Sequence, residues 1–228
     1  MRYNNYMAYK APILTVDSVV FQIINNQLCV LLVRRAQEPF KGHLALPGGY
    51  NQNGETTTEC MVRILQAKAG LTPQDIRLLE QLYTFDTVAR DPRGHAVSVT
   101  YMGLGKDMVP IASDTTQSPD FYPVNDLPEL AYDHADIITY ARERLAAKIT
   151  YTNAVFALLD KVFTLTQLQT AYEAIFGREL DKRNFRKKFL ALDLIHETSE
   201  MLTGGAHRPA RLYAFNAQSL ESLSRSFD

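Results

Sequence analysis

Cysteine is scarce in this chain. Only Cys29 and Cys60 occur among 228 residues. Neither sits at a metal-like spacing, so both are expected to be buried, reduced thiols. With 46% of residues hydrophobic, the chain can bury a core of normal size without a disulfide or metal staple. Long apolar runs are also missing. The opening residues MRYNNYMAYK hold no apolar signal core, and nothing approaches the roughly 20 apolar residues that span a bilayer. These absences predict a cytoplasmic protein with no membrane partner. There are no internal repeats or low-complexity segments, and the length suits two domains.

Net charge is nearly absent too, at −1. The total hides an uneven distribution. From Asp114 to Asp136 there are six acidic residues and no Lys or Arg. From Arg178 to Arg211 the bases Arg178, Lys182, Arg183, Arg186, Lys187, Lys188, Arg208 and Arg211 outnumber the acids. A neutral chain can therefore present one basic face.

The apolar pattern supplies the elements. Pro12–Ile24 and Leu28–Val33 read as a hairpin broken at Asn25-Asn26. Phe40–Tyr50 reads as a strand running into a tight Gly/Pro loop. Glu55–Ala69 is helical, with Gly70 as its stop. Asp75–Phe85 and Ala96–Leu104 read as strands joined by the polar turn Arg90–Gly94. A second long helix begins near Asp133. Sheet and helices together predict a sandwich up to about residue 148. The pattern then changes. Thr166–Phe176 is an amphipathic helix ended by Gly177. Asp181 is an N-cap for a helix over Lys182–Leu192. Short strands over Leu194–Glu197 and Arg211–Phe215 flank the basic, Gly-rich stretch Thr203–Pro209. Helix, turn, helix and hairpin is a winged-helix order.

Two constellations carry chemistry. In the first, Leu46-Pro47-Gly48-Gly49, Glu55, Arg63 and Gly70-Leu71 resemble the Nudix box, G-x5-E-x7-R-E-U-x-E-E-x-G-U, where U is bulky and apolar. Where that family places its first catalytic Glu, this chain has Ile64. Where it places the paired glutamates, it has Ala67 and Lys68. The three positions share one helix face. In the family that face holds Mg²⁺ with oxygen ligands against a pyrophosphate. Here it offers a branched alkyl chain, a methyl and an ammonium. The expectation is no catalytic residue, no metal and no cofactor, with Glu55 and Arg63 kept to brace the loop and helix. Glu55 and Glu59 are the carboxylates left for weak metal binding, and an active hydrolase of ADP-ribose or a similar nucleoside diphosphate derivative is the alternative. Arg90-Asp91-Pro92-Arg93-Gly94 is similar to a stretch in Nudix proteins of the ADP-ribose class. Its guanidinium forks suit phosphate oxygens, although solvated turn arginines would look the same. Arg34, Gly48, Gly49, Lys68, Arg90 and Arg93 are the candidate effector-binding residues.

The second constellation is the helix after Asp181. With Lys182 at zero, Arg183, Arg186 and Lys187 fall at about 100°, 40° and 140°, while Phe185, Phe189 and Leu192 cluster near about 280–340°. The apolar stripe would seat the helix, and the bases would face a major groove or merely solvent. Lys182, Arg183, Asn184, Arg186 and Lys187 on the helix, with His207 and Arg208 on the wing, are the candidate DNA-binding residues.

A degenerate Nudix domain followed by a winged helix resembles the Nudix-related transcriptional regulators of the NrtR family. Phe163–Gln169, Asp181–Lys187 and Tyr132-Asp133-His134 are the most similar stretches. The resemblance implies an α+β chain: a Nudix α/β/α sandwich over residues 1–148 that senses an effector, then a winged helix-turn-helix over 149–228. It further implies a homodimer on palindromic operator DNA, answering to ADP-ribose or a related sugar or nucleotide. The genes controlled would serve NAD or sugar metabolism.

Overall fold

A computed structural model describes residues 10–112, 117–202 and 209–223. The anticipated hairpin is β1 (Ile13–Ile24) and β2 (Gln27–Arg34). Asn25 and Asn26 turn it at φ 50° and 64°, the pair of left-handed residues a two-residue turn needs to match strand twist. The rest of the sheet is assembled on this hairpin. β3 (Leu44–Ala45) and β7 (Gln117–Pro123) pair with β2, and β4 (Gly48–Tyr50) pairs with β1. β6 (Ala96–Leu104) runs parallel to β1, and β5 (Leu78–Phe85) forms the edge beyond β6.

Alternation along β1 sends its side chains to two faces. Val16 and Val20 pack with Cys60, Met61, Ile64 and Leu65 of α1 (Thr57–Ala69). Val19 and Phe21 pack with Ile137, Ile138, Ala141 and Leu145 of α2 (His134–Tyr151). This is the sandwich expected from the pattern, in the α/β/α form that the Nudix resemblance implies. Cys29 and Cys60 are buried and free, and burial pushes the Cys60 thiol up to about 11. Gly70 ends α1 at φ 65° with its N–H on the Gln66 carbonyl, a left-handed cap that glycine adopts without strain.

α2 continues through position 148 to Tyr151. A fully buried 3-10 turn, Ala154–Leu158, then leads into α3 (Leu165–Phe176). Asn153 ties this junction to the chain end. It is 1% exposed, donates to Ser219 O at 2.9 Å, and accepts from Glu221 N at 2.7 Å. α3, α4 (Lys182–Leu190) and the antiparallel hairpin of β8 (Ile195–Leu202) and β9 (Ala210–Phe215) complete the winged helix. One continuous core joins the two parts, from Val19 and Phe21 in the sheet through α2 to Tyr172, Phe185, Phe189 and Phe215. No helix among the described residues is long and apolar enough to cross a membrane.

Candidate functional site

The tight loop before α1 is built on a close approach. Gly48 pairs with Asp17 of β1, and a Cβ at Gly48 would lie 1.8 Å from Asp17 Oδ1. Only glycine fits there. His134, at the first position of α2, accepts from the Leu46 N–H at 2.9 Å through Nδ1. Burial lowers its pKa, so the ring is neutral at pH 7 and ties the loop's lead-in to α2. Below the loop, Glu55 accepts from Arg63 Nε at 2.6 Å and Nη2 at 2.8 Å. The Arg63 bonds hold the Glu55 carboxyl at about 2. Thr56 and Glu59 form a reciprocal capping box at the start of α1.

These elements enclose a cavity of about 350 Å³. Six basic side chains line it (Arg34, Arg35, Arg63, Lys68, Arg90 and Arg93) against two acids, Asp17 and Asp91. Lys68 donates to Gly48 O, and burial lowers its pKa. Arg34 donates to Gly42 O at 2.7 Å. The Arg90 side chain is 5% exposed and bonds both oxygens of Asp133 at 2.8 Å, with Asp17 Oδ2 at 3.4 Å. Arg93 is bound by Asp91 at 2.6 Å and lies over the Tyr50 and Tyr132 rings at 5.4 and 5.8 Å. Arg35 also lies over Tyr132, at 4.8 Å.

The residues present do not suit a divalent cation. Ile64 packs in the α1 core, 2% exposed, and Ala67 offers no donor. Lys68 brings a positive charge. Glu55 is committed to Arg63 and Glu59 to the cap. Asp17 accepts from Ser98 Oγ at 2.6 Å besides Arg90.

The second surface is α4. Asp181 caps it, accepting from Asn184 N at 2.8 Å. Phe185 and Phe189 are buried, while Lys182, Arg183, Asn184, Lys187 and Lys188 are exposed. The helix ends at Leu190, two residues short of the expected Leu192, where the chain turns into β8. Arg186 departs from the expected central, outward position. It is half-buried and donates from Nη2 to Thr166 Oγ1 at 3.1 Å, against α3.

A winged helix carrying this basic helix matches the NrtR DNA-binding winged helix domain over residues 155–215, and the cavity-bearing part matches the NUDIX domain over 14–141. Over 216 residues the chain is 34% identical to the ADPR responsive transcriptional repressor NtrR of Acinetobacter baylyi, covering 92% of this chain and 84% of that protein. It belongs to the NrtR family. The crystal structure of Shewanella oneidensis NrtR complexed with a 27mer DNA superimposes with a TM-score of 0.79 at 33% identity, over 94% of this chain and 99% of that one. The NUDIX domain of the same Shewanella oneidensis NrtR, complexed with ADP ribose, matches at TM-score 0.55 and 36% identity, over 63% of this chain and 94% of that domain.

In this NrtR-family chain all six expected effector residues line the same cavity. Sequence reasoning missed Asp17, Tyr50, Asp91, Tyr132 and His134 as their partners, while Arg35, at the strand end beside Arg34, reads from the sequence equally well as a phosphate ligand or a solvated arginine. A signal for Asp17 existed: it is a lone carboxylate inside the apolar run ILTVDSVV. Of the residues expected to meet DNA, five lie on α4, while His207 and Arg208 fall outside the described residues.

Proposed function

We propose that this chain is a transcriptional regulator. Its winged helix binds operator DNA as a homodimer, and its Nudix domain binds ADP-ribose without cleaving it. The division is residues 1–148 for sensing and 149–228 for DNA, and the setting is the cytoplasm, with genes of NAD or sugar metabolism as targets. The observation that carries the reading is the cavity itself. Six cations converge on a space bounded by the Nudix loop, while Ile64, Ala67 and Lys68 occupy the positions where carboxylates would hold Mg²⁺. Cations without metal ligands suit retention of a diphosphate rather than its hydrolysis. Arg34, Lys68, Arg90 and Arg93 supply charge, and Gly48 and Gly49 allow close backbone approach. Lys182, Arg183, Asn184 and Lys187 face the duplex and Arg186 supports them from the α3 side; His207 and Arg208, expected from the sequence to reach DNA as well, lie outside the described residues.

The test has two arms. Operator DNA selected from a random duplex pool should shift with the purified chain, and ADP-ribose should change its affinity. Incubation of ADP-ribose with Mg²⁺ or Mn²⁺ should release no AMP at the ordinary enzymatic rates of about 1–10³ per second. A DNA affinity indifferent to ADP-ribose would remove the sensing role, and turnover in that range would restore the hydrolase.

A further inference from the structure

Asp133 occupies the N-cap position of α2 and is among the residue types that cap a helix best. It does not cap: its side chain makes no hydrogen bond to the first turn. Both oxygens are instead held by Arg90, from Nε and Nη2, each at 2.8 Å. The Arg90 side chain is almost wholly buried and yet lines the cavity. Tyr132, the residue before Asp133, stands at φ 56°, a conformation that costs a bulky residue free energy. Its hydroxyl is buried and has no hydrogen-bond partner among the described residues. An uncapped helix, a strained backbone and an unsatisfied hydroxyl thus meet where the cavity joins α2.

We propose that Asp133 is the positioning residue that couples the cavity to the DNA-binding domain: a diphosphate that takes the Arg90 guanidinium releases the Asp133 carboxylate, which then caps α2. The inference rests on reading the cavity as an ADP-ribose site. A phosphate matches the guanidinium fork as well as a carboxylate does and carries more charge. The displaced carboxylate has a destination in the backbone N–H groups of Ala135 and Asp136. These lie at the positive end of the helix dipole, which favours an anion. Asp17 keeps a second hold on Arg90 at 3.4 Å, so the guanidinium stays at the cavity wall while its partner changes.

The exchange has a lever to act on. α2 is 18 residues long, about 27 Å at 1.5 Å per residue. Its far end is buried against the winged helix: Ile149 is 0% exposed, and its carbonyl accepts from Tyr172 Oη of α3 at 3.3 Å. Arg142, on the same helix, reaches the carbonyl of Ile175 at 3.4 Å. Close-packed elements shift as bodies rather than deform, so re-seating the first turn of α2 moves α3 and, with it, α4.

The test uses the full chain, ADP-ribose and operator duplex. Asp133→Asn caps a helix but holds Arg90 without charge, and Asp133→Ser caps and scarcely reaches it. Calorimetry should find ADP-ribose bound by both variants at least as tightly as by wild type, because Arg90 is already released. The ratio of operator affinities with and without ADP-ribose should fall to under about threefold, where ordinary allosteric coupling runs about 5- to 150-fold. A residue that merely stabilised the fold would weaken both measurements together. If either variant binds ADP-ribose and transmits it to DNA as wild type does, the proposal is overturned. If neither variant binds ADP-ribose, Asp133 is a strut of the site and the proposal is overturned as well. A wild-type chain that fails to bind ADP-ribose, or binds it without any DNA response, removes the underlying reading instead.

Discussion

The cavity and the α4 surface are both basic, and they are basic in opposite ways. Around the cavity the cations are fixed. Arg90 sits between two carboxylates, Arg93 is held by Asp91, and Arg63 by Glu55. On α4, Lys182, Arg183, Lys187 and Lys188 are exposed, and none forms a salt bridge among the described residues. Pinned donors select one small anion by shape and lose little entropy on binding it. Long, mobile, solvated cations suit a polyanion, where affinity comes from released counterions and falls steeply with salt. Under the proposed function the same residue types would serve a sensor in one place and a DNA surface in the other, with burial making the difference.

Deleting one cation on each side and weighing the folded state should set the two surfaces furthest apart. Arg90→Ala leaves Asp17, buried, and Asp133, half-buried, without their shared counter-charge. Removing one partner of a buried pair costs about 3–5 kcal/mol, which urea melts should register as a large fall in midpoint, together with loss of ADP-ribose binding. If Arg90→Ala melts like wild type, the cavity cations are not pinned in the sense argued.

The matching experiment on α4 should leave the fold alone. The Arg183→Ala, Lys187→Ala double variant should stay within about 0.5 kcal/mol of wild-type stability, as exposed substitutions do. Operator binding should suffer instead. For every phosphate no longer neutralised, the slope of log affinity against log salt should fall by about 0.9, and removing a hydrogen bond to a base should cost about 1–3 kcal/mol at one position. Arg186 is the intermediate case. Because it leans on Thr166, Arg186→Ala should disturb both fold and DNA affinity, each by less than the extremes above. Operator binding unchanged in the double variant would place the DNA surface elsewhere.

What could be read from the sequence follows the same division. α4, its Asp181 cap and the glycine stops at Gly70 and Gly177 are all local, and their spacing announced them, while the Glu55–Arg63 brace was legible through the Nudix resemblance. The counter-charges of Arg90 were not local. Arg90 meets Asp17 across 73 residues and Asp133 across 43, and His134 meets Leu46 across 88, so no window along the chain contains both partners. β7 was missed for a related reason. Gln117–Pro123 carries Pro119, Asp120 and Pro123, which locally read as loop, and it becomes a strand only through its pairing with β2. The lean of Arg186 was equally hidden, since a helical wheel shows angle but not the α3 neighbour that draws the side chain back.

The slightest change should come from a cavity cation at the solvent edge. Arg63 is 38% exposed and holds Glu55, whose carboxyl it keeps at about 2 against an ordinary 4.5. A depressed carboxylate adds stability that is fully present above its unfolded pKa and is lost as pH falls through its folded one. Wild type should therefore exceed Glu55→Gln in urea midpoint at pH 7. The gap should begin to close below about pH 4.5 and vanish near pH 2. Solvent reaches the pair through Arg63 and screens it, so the gap should be slight beside that of Arg90→Ala. Added salt should narrow it further, while leaving the Arg90→Ala deficit nearly unchanged. A gap between wild type and Glu55→Gln that stays constant across this pH range would mean the Glu55 side chain serves by shape and hydrogen bonding alone. Arg63 would then not belong among the charge-pinned cations.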